Sequence, residues 1–236
     1  MSGSLRAILF DLHGTLGYVK NPVPAEEFCT YLQSRGYGVY PQSFAAASNY
    51  VAMVTYPKHG YSNFEDFYSE VLKMLRVKVE ADTVLGLSKR FAEREQFQPY
   101  PDAESALLIA REHGMKTAIV TTIARFRFEN LLRKIGQHVD VVMDGFEAGC
   151  EKSNPLIYLK VLRALGVHPS QAVMIGDDEK LDIALPKRLG LKAILLKRKG
   201  GTQIKTKADG TALSLTQGVR MALSSRRRGK LREGEN

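Results

Sequence analysis

The segment Ala7-Ile8-Leu9-Phe10-Asp11-Leu12-His13-Gly14-Thr15-Leu16 decides the fold. Four apolar residues deliver one carboxylate and then break into a polar loop that carries a glycine. A short, continuous apolar run of this kind reads as a strand buried on both faces. In an open α/β sheet, ligands bind in the crevice beyond the carboxyl ends of the strands. Asp11 is therefore expected at that edge, presented as a nucleophile.

Outward from this strand the chain changes character twice. Between Gly17 and Gln98 it reads as helical, with apolar spacing over Glu26–Gln33, Phe44–Val54, Phe64–Leu75 and Ala81–Phe91, and breakers at Gly36, Pro41, Pro57 and Gly60. An α/β rhythm then follows. Helices are predicted at Ala103–Glu112, Arg125–Lys134, Pro155–Leu165 and Ile183–Leu189, alternating with strands at Thr117–Val120, Val139–Met143, Ala172–Ile175 and Ala193–Leu196. A strand-like piece near Ala212 and a helix over Leu215–Leu223 end the series. Strands alternating with helices through short turns predict an α/β fold, a Rossmann-like parallel sheet with helices on both faces. The expected organisation is a core of residues 1–16 and 99–223, a helical insertion of residues 17–98, and a basic, flexible tail of residues 224–236.

Composition limits the function classes. Hydrophobic residues make up 44% and charged residues 25% of the 236, the balance of a globular chain. No apolar run approaches the ~18 residues of a membrane span, and the first residues lack the apolar core of a secretion signal; a cytoplasmic location with no membrane partner is the expectation. Cys29 and Cys150 have no metal-ligand spacing and read as free thiols. The formal net charge of +9 comes largely from residues after 196, including Lys197-Arg198-Lys199 and Arg226-Arg227-Arg228-Gly229-Lys230-Leu231-Arg232. A basic tail can hold phosphates, but without interleaved aromatics or a nucleic-acid motif it reads as a solvated terminus, and no nucleic-acid partner is expected.

Three further strand ends supply polar groups that match Asp11. The second predicted strand ends in Val120-Thr121-Thr122, where a hydroxyl and loop amides can hold a phosphate oxygen. The third leads into Lys152-Ser153-Asn154-Pro155, a lysine ahead of a helix. The fourth ends in Gly176-Asp177-Asp178-Glu179-Lys180-Leu181-Asp182, an acidic loop. Taken singly, each has an ordinary reading: Lys152 as a surface ion pair, Thr121 as a satisfied hydroxyl, Asp178 as a helix cap, Asp182 as a partner of Lys152 or of loop amides.

Taken in order, the four segments resemble the four motifs of the haloacid dehalogenase-like (HAD) hydrolases, from Ala7 to about Leu196. The opening motif of that family reads Asp-x-Asp-Gly-Thr; here His13 replaces the second Asp, and Ser153 replaces the proline that usually follows the lysine. The resemblance implies a Mg²⁺-dependent phosphatase of small phosphate monoesters, the substrate being a small phosphorylated metabolite. In it Asp11 forms an aspartyl-phosphate. Asp11, Asp177 and the backbone carbonyl of His13 ligate the metal. Thr121, Thr122 and Lys152 bind the phosphoryl group, with Asp178 and Asp182 as supporting acids.

The resemblance also makes residues 17–98 a helical cap that closes over the site, with Tyr50, Tyr56, His59 and Tyr61 as candidate liners. Where the family's second Asp protonates the leaving group, an imidazole of pKa near 6.5 can do the same work; otherwise His13 serves only a structural hydrogen bond. Two other readings stay open: a catalytically weak relative that binds a phosphorylated or anionic partner, and a 2-haloacid dehalogenase. For the latter, Arg35 lacks a matching context; for phosphonate cleavage, Lys20 and Lys58 do too.

Overall fold

The computed structural model describes residues 4–200 and 205–233. Its centre is a six-stranded sheet of parallel pairs in the order β5-β4-β1-β6-β7-β8. The strands are β1 (Ala7–Phe10), β4 (Lys116–Val120), β5 (Val141–Met143), β6 (Ala172–Gly176), β7 (Lys192–Leu196) and β8 (Gly210–Ala212). Alternate residues of β1 face opposite ways. Ile8 and Phe10 join a core with Ala106 and Leu107 of α6 (Ala103–Glu112), Leu131 of α7 (Glu129–Ile135) and Val219 of α11 (Leu215–Glu233). Ala7 and Leu9 join a second core with Ile157 and Val161 of α9 (Leu156–Leu165). This two-sided burial is why the strand reads as uninterrupted apolar sequence.

The insertion leaves and returns through an antiparallel ribbon of β2 (Gly17–Val19) and β3 (Phe97–Pro99). Between them lie α1 (Ala25–Ser34), α2 (Pro41–Tyr50), α3 (Tyr56–His59), α4 (Phe64–Met74) and α5 (Ala81–Phe91). Phe28, Phe44, Tyr68 and Phe91 form the aromatic heart of a separate core, with ring centroids 4.6–5.5 Å from Phe28. Ala124 and Phe126, from the loop after β4, pack into that same core and seat the insertion on the sheet edge. The remaining α-helices among the described residues are α8 (Gly145–Ala148) and α10 (Leu185–Arg188).

Several elements depart from the sequence expectations. The ribbon β2–β3 was not predicted, because three-residue strands bearing Gly17 and Pro99 show no alternation. The expected helix Phe44–Val54 begins at Pro41, whose fixed φ suits a first turn, and after Tyr50 widens into π-type turns over Val51–Thr55. The expected helix Ile183–Leu189 is likewise preceded by π-type turns over Glu179–Ala184; such insertions collect at functional sites. From residue 224 to Glu233, where a basic tail is expected, the backbone is helical and continues α11; arginine and lysine are good helix formers. Residues 234–236 of that tail, and 1–3 and 201–204 of the expected core, lie outside the described residues.

Both cysteines are free, Cys29 in the insertion core and Cys150 half-buried. No helix among the described residues is long and apolar enough to cross a membrane.

Candidate active site

Because β1 pairs in parallel with both β4 and β6, Phe10 stands beside Ile119 and Ile175, and the residues that follow emerge together at one edge. The Asp11 amide donates to Ile175 O at 3.0 Å, and that of Thr121 to Met143 O at 3.0 Å, so the ladder holds both residues as the strands end. Asp11, Thr121, Lys152 and Asp182 are buried; Asp177, Asp178 and His13 are exposed, and Thr122 is half-buried.

Lys152 lies between two carboxylates. Its ammonium donates to Asp11 and sits 2.6 Å from Asp182 Oδ1. Burial alone would lower the pKa of this lysine, but Asp11 and Asp182 outweigh it and hold it above the usual lysine range. Burial pushes Asp11 up despite the opposing lysine. The same desolvation lifts Asp182 to about 6. Asp177, although its side chain reaches solvent, is raised by partial desolvation and by the Asp182 carboxylate, with His13 opposing.

Oxygen atoms of Asp11, Asp177 and Asp182 all lie within 4.8 Å of one another. Three acidic groups facing one ammonium leave an excess of negative charge at the sheet edge. Hard divalent cations such as Mg²⁺ take carboxylate oxygens, so the donor set and its charge both fit such an ion.

Two glycines make the crowding possible. A Cβ on Gly14, whose φ is +78°, would collide with the Asp177 carboxylate, and a Cβ on Gly176 would collide with Asp182. Asp182 Oδ2 accepts from the Asp178 amide at 3.0 Å. Asp178 itself caps the turns that follow, accepting from Lys180 N at 2.7 Å and Leu181 N at 2.8 Å. Thr121 Oγ1 accepts from Ile123 N at 3.1 Å, which leaves its proton free to donate. The His13 ring stands edge-on to Phe97 of β3, centroids 5.7 Å apart, at the root of the insertion.

Of the four candidate liners, Tyr56, His59 and Tyr61 border a cavity of about 320 Å³ with Arg125, Asp144 and Phe146; Asp11, Thr121 and Lys152 are not among its lining residues. Tyr50, 48% exposed, is not among them either. The Tyr56 hydroxyl accepts from Arg125 N at 3.1 Å, and Arg125 Nε donates to Asp144 Oδ2 at 2.9 Å.

Sequence reasoning passed over Tyr158, whose hydroxyl donates to Leu181 O at 2.5 Å behind the acidic loop, the Arg125–Asp144 pair, and Arg198. The last was counted only as tail charge, although it follows β7 at the same sheet edge as the other site residues.

The haloacid dehalogenase-like hydrolase family matches residues 5–190. A glyceraldehyde 3-phosphate phosphatase of Methanopyrus kandleri is 38% identical over 104 residues, 43% of this chain and 44% of that protein; the matched region is thus less than half of that relative. Haloacid dehalogenase-like hydrolase domain-containing protein 3 of Xenopus laevis is 29% identical over 209 residues, 82% of this chain and 84% of that protein. Among solved structures, a HAD phosphatase from Thermococcus onnurineus superposes with a TM-score of 0.68 at 23% identity, covering 92% of this chain and 97% of the other.

Proposed function

This chain belongs to the haloacid dehalogenase-like hydrolases, and from that membership we propose that it is a Mg²⁺-dependent phosphatase of small phosphate monoesters that works through Asp11. The observation that carries the reading is the buried Lys152 held between Asp11 and Asp182, with Asp177 completing an acidic triad at the sheet edge. The likeness to a glyceraldehyde 3-phosphate phosphatase over part of the chain supports the phosphate-ester class.

Asp11, Asp177 and the backbone carbonyl of His13 would hold Mg²⁺, which supplies positive charge where an anionic phosphate meets an anionic nucleophile. An Asp11 oxygen attacks phosphorus, the bond from phosphorus to the ester oxygen breaks, and the alkoxide leaves with its electron pair. The His13 imidazolium protonates that alkoxide. The neutral imidazole then takes a proton from water as the water attacks the phosphorus of the aspartyl-phosphate, releasing inorganic phosphate and Asp11. Lys152 orients the Asp11 carboxylate and screens it, while the Thr121 hydroxyl and the Thr122 region hold phosphoryl oxygens; positioning and electrostatics of this kind carry most of phosphoryl-transfer catalysis. The inserted helices act as a cap that excludes water from the first step. The expected setting is the cytoplasm, with neither membrane nor nucleic acid as a partner.

The test is phosphate release from an aryl phosphate and a panel of sugar and metabolite phosphates, with and without Mg²⁺, for the parent and Asp11→Asn. Turnover that needs both Mg²⁺ and Asp11 supports the reading. A folded parent that releases no phosphate but binds phosphorylated ligands equally well with Asp11→Asn replaces it with the binding-protein alternative, and halide release from a 2-haloacid would replace it with dehalogenation.

A further inference from the structure

We propose that Arg198 is a positioning residue for the chemistry at Asp11, holding the loop that carries His13 and both roots of the inserted helical unit in one arrangement. The inference rests on the phosphatase reading above. Arg198 lies just beyond β7, and its side chain is 17% exposed. Its Nε donates to Gly14 O at 3.2 Å and one terminal nitrogen donates to Thr15 O at 2.6 Å. The same terminal nitrogen bonds Asp102 Oδ1 at 2.8 Å, and Asp102 Oδ2 accepts from the first amide of α11, Leu215 N, at 2.7 Å. The guanidinium carbon also lies over the Tyr100 ring, 3.8 Å from its centroid.

These contacts meet at the point where the catalytic loop becomes the stem of the insertion. The loop turns tightly on itself, Gly17 N donating to Leu12 O at 2.8 Å and Gly14 N to Gly17 O at 2.9 Å, and β2 begins at once. On the returning side, Tyr100 follows β3, donates its amide to Leu16 O at 2.9 Å and packs against Tyr18, centroids 4.7 Å apart. Arg198 therefore touches the outgoing root through Gly14 and Thr15 and the incoming root through Tyr100 and Asp102.

The planar fork of a guanidinium can bond two carbonyls and stack on a ring at the same time, which an ammonium cannot do. Rotation of the peptide after Gly14 would move His13 on one side, and Gly14 has no free space on the other because it lies against Asp177. By pinning that peptide, Arg198 fixes where His13 delivers its proton without touching the reacting atoms itself.

The experiment compares Arg198→Gln and Arg198→Lys with the parent, each alone and combined with His13→Ala, on an alkyl and an aryl phosphate. Amide hydrogen exchange is followed in the same proteins. Misplacement of a catalytic group by about 1 Å costs on the order of 100-fold, so Arg198→Gln should lower kcat on the alkyl ester roughly 10- to 100-fold, lower it less on the aryl ester and shift KM little. Arg198→Lys should fall between Gln and parent. In the His13→Ala background, Arg198→Gln should add nothing to the alkyl-over-aryl difference. Exchange should quicken at Gly14, Gly17 and Tyr100 while protection of the central strands is kept.

Equal losses on both esters that multiply with those of His13→Ala would overturn the proposal, showing a general structural role. An Arg198→Gln variant with parental kcat on the alkyl ester would overturn it as well. Should the parent itself hydrolyse no phosphate ester, the phosphatase reading fails separately, and exchange then decides the clamp: unchanged protection at Gly14, Gly17 and Tyr100 refutes it.

Discussion

Lys152 Nζ lies 2.6 Å from Asp182 Oδ1, both side chains nearly sealed from solvent at 4% and 1% exposure. Asp182 is thus the fixed counter-charge that keeps a buried lysine aimed at Asp11. Removing one member of a buried charge cluster leaves the others uncompensated, at a cost of about 3–5 kcal/mol. Lys152→Met should therefore abolish turnover and lower the unfolding free energy near pH 7.5 by about that amount. The deficit should shrink near pH 5, where Asp182, lifted to about 6, takes up a proton. Urea unfolding at the two pH values checks both statements.

The same shift has a consequence for metal binding. Asp11, Asp177 and Asp182 all have pKa values raised on folding. For a carboxylate raised from 3.8 to about 6, the stabilising contribution is fully present below the unfolded value and is lost as pH rises through about 6. Mg²⁺ binds the deprotonated forms, so it should raise Tm more near pH 7.5 than near pH 5. Ligand at 100 times its Kd adds about 2.7 kcal/mol. Thermal unfolding with and without MgCl₂ measures this, and Asp177→Asn should flatten the response.

Gly14→Ala should cost activity by roughly 100-fold, since the added methyl strikes the Asp177 carboxylate and the backbone sits at φ +78°. Gly114 offers the control. Its φ is +66° with open space around the Cβ position, so Gly114→Ala should lower stability by about 1 kcal/mol and leave kcat untouched. Parallel calorimetry and kinetics separate the two effects.

His13→Ala should suffer most on esters with poor leaving groups. An aryl oxide departs without a proton, whereas an alkoxide requires one. The expected pattern is a loss of 10²–10⁴-fold on alkyl phosphates, the usual range for general acid catalysis, and a far smaller loss on an aryl phosphate. A uniform loss would mean that the imidazole, packed on Phe97, serves geometry instead.

How far the sequence revealed this arrangement depended on how each signal is encoded. Asp11, Thr121 and Asp177 were legible because each closes or follows a buried apolar strand, and parallel pairing brings the ends of such strands together. Lys152 was legible only through its place in an ordered set of motifs, since a lysine before a helix is common. The two-sided burial of Ile8/Phe10 and Ala7/Leu9 followed from the same apolar run. Arg198 was hidden because its partners are carbonyls of Gly14 and Thr15, more than 180 residues earlier, and backbone acceptors leave no trace in residue type. The ribbon Gly17–Val19 with Phe97–Pro99 was hidden because three-residue strands carry no period. The π-type turns at Val51–Thr55 escaped because one extra residue per turn barely disturbs a helical pattern, and those at Glu179–Ala184 because the acidic run Asp177-Asp178-Glu179 reads as loop.

The central claim is that Asp11 becomes covalently phosphorylated. Rapid acid quench of the Mg²⁺-loaded enzyme during turnover, followed by peptide mass spectrometry, tests it most directly. The account predicts a transient, hydroxylamine-sensitive phosphoryl adduct on the peptide carrying Asp11, absent from Asp11→Asn. Turnover that proceeds with no adduct on that peptide, or that survives Asp11→Asn, would contradict it.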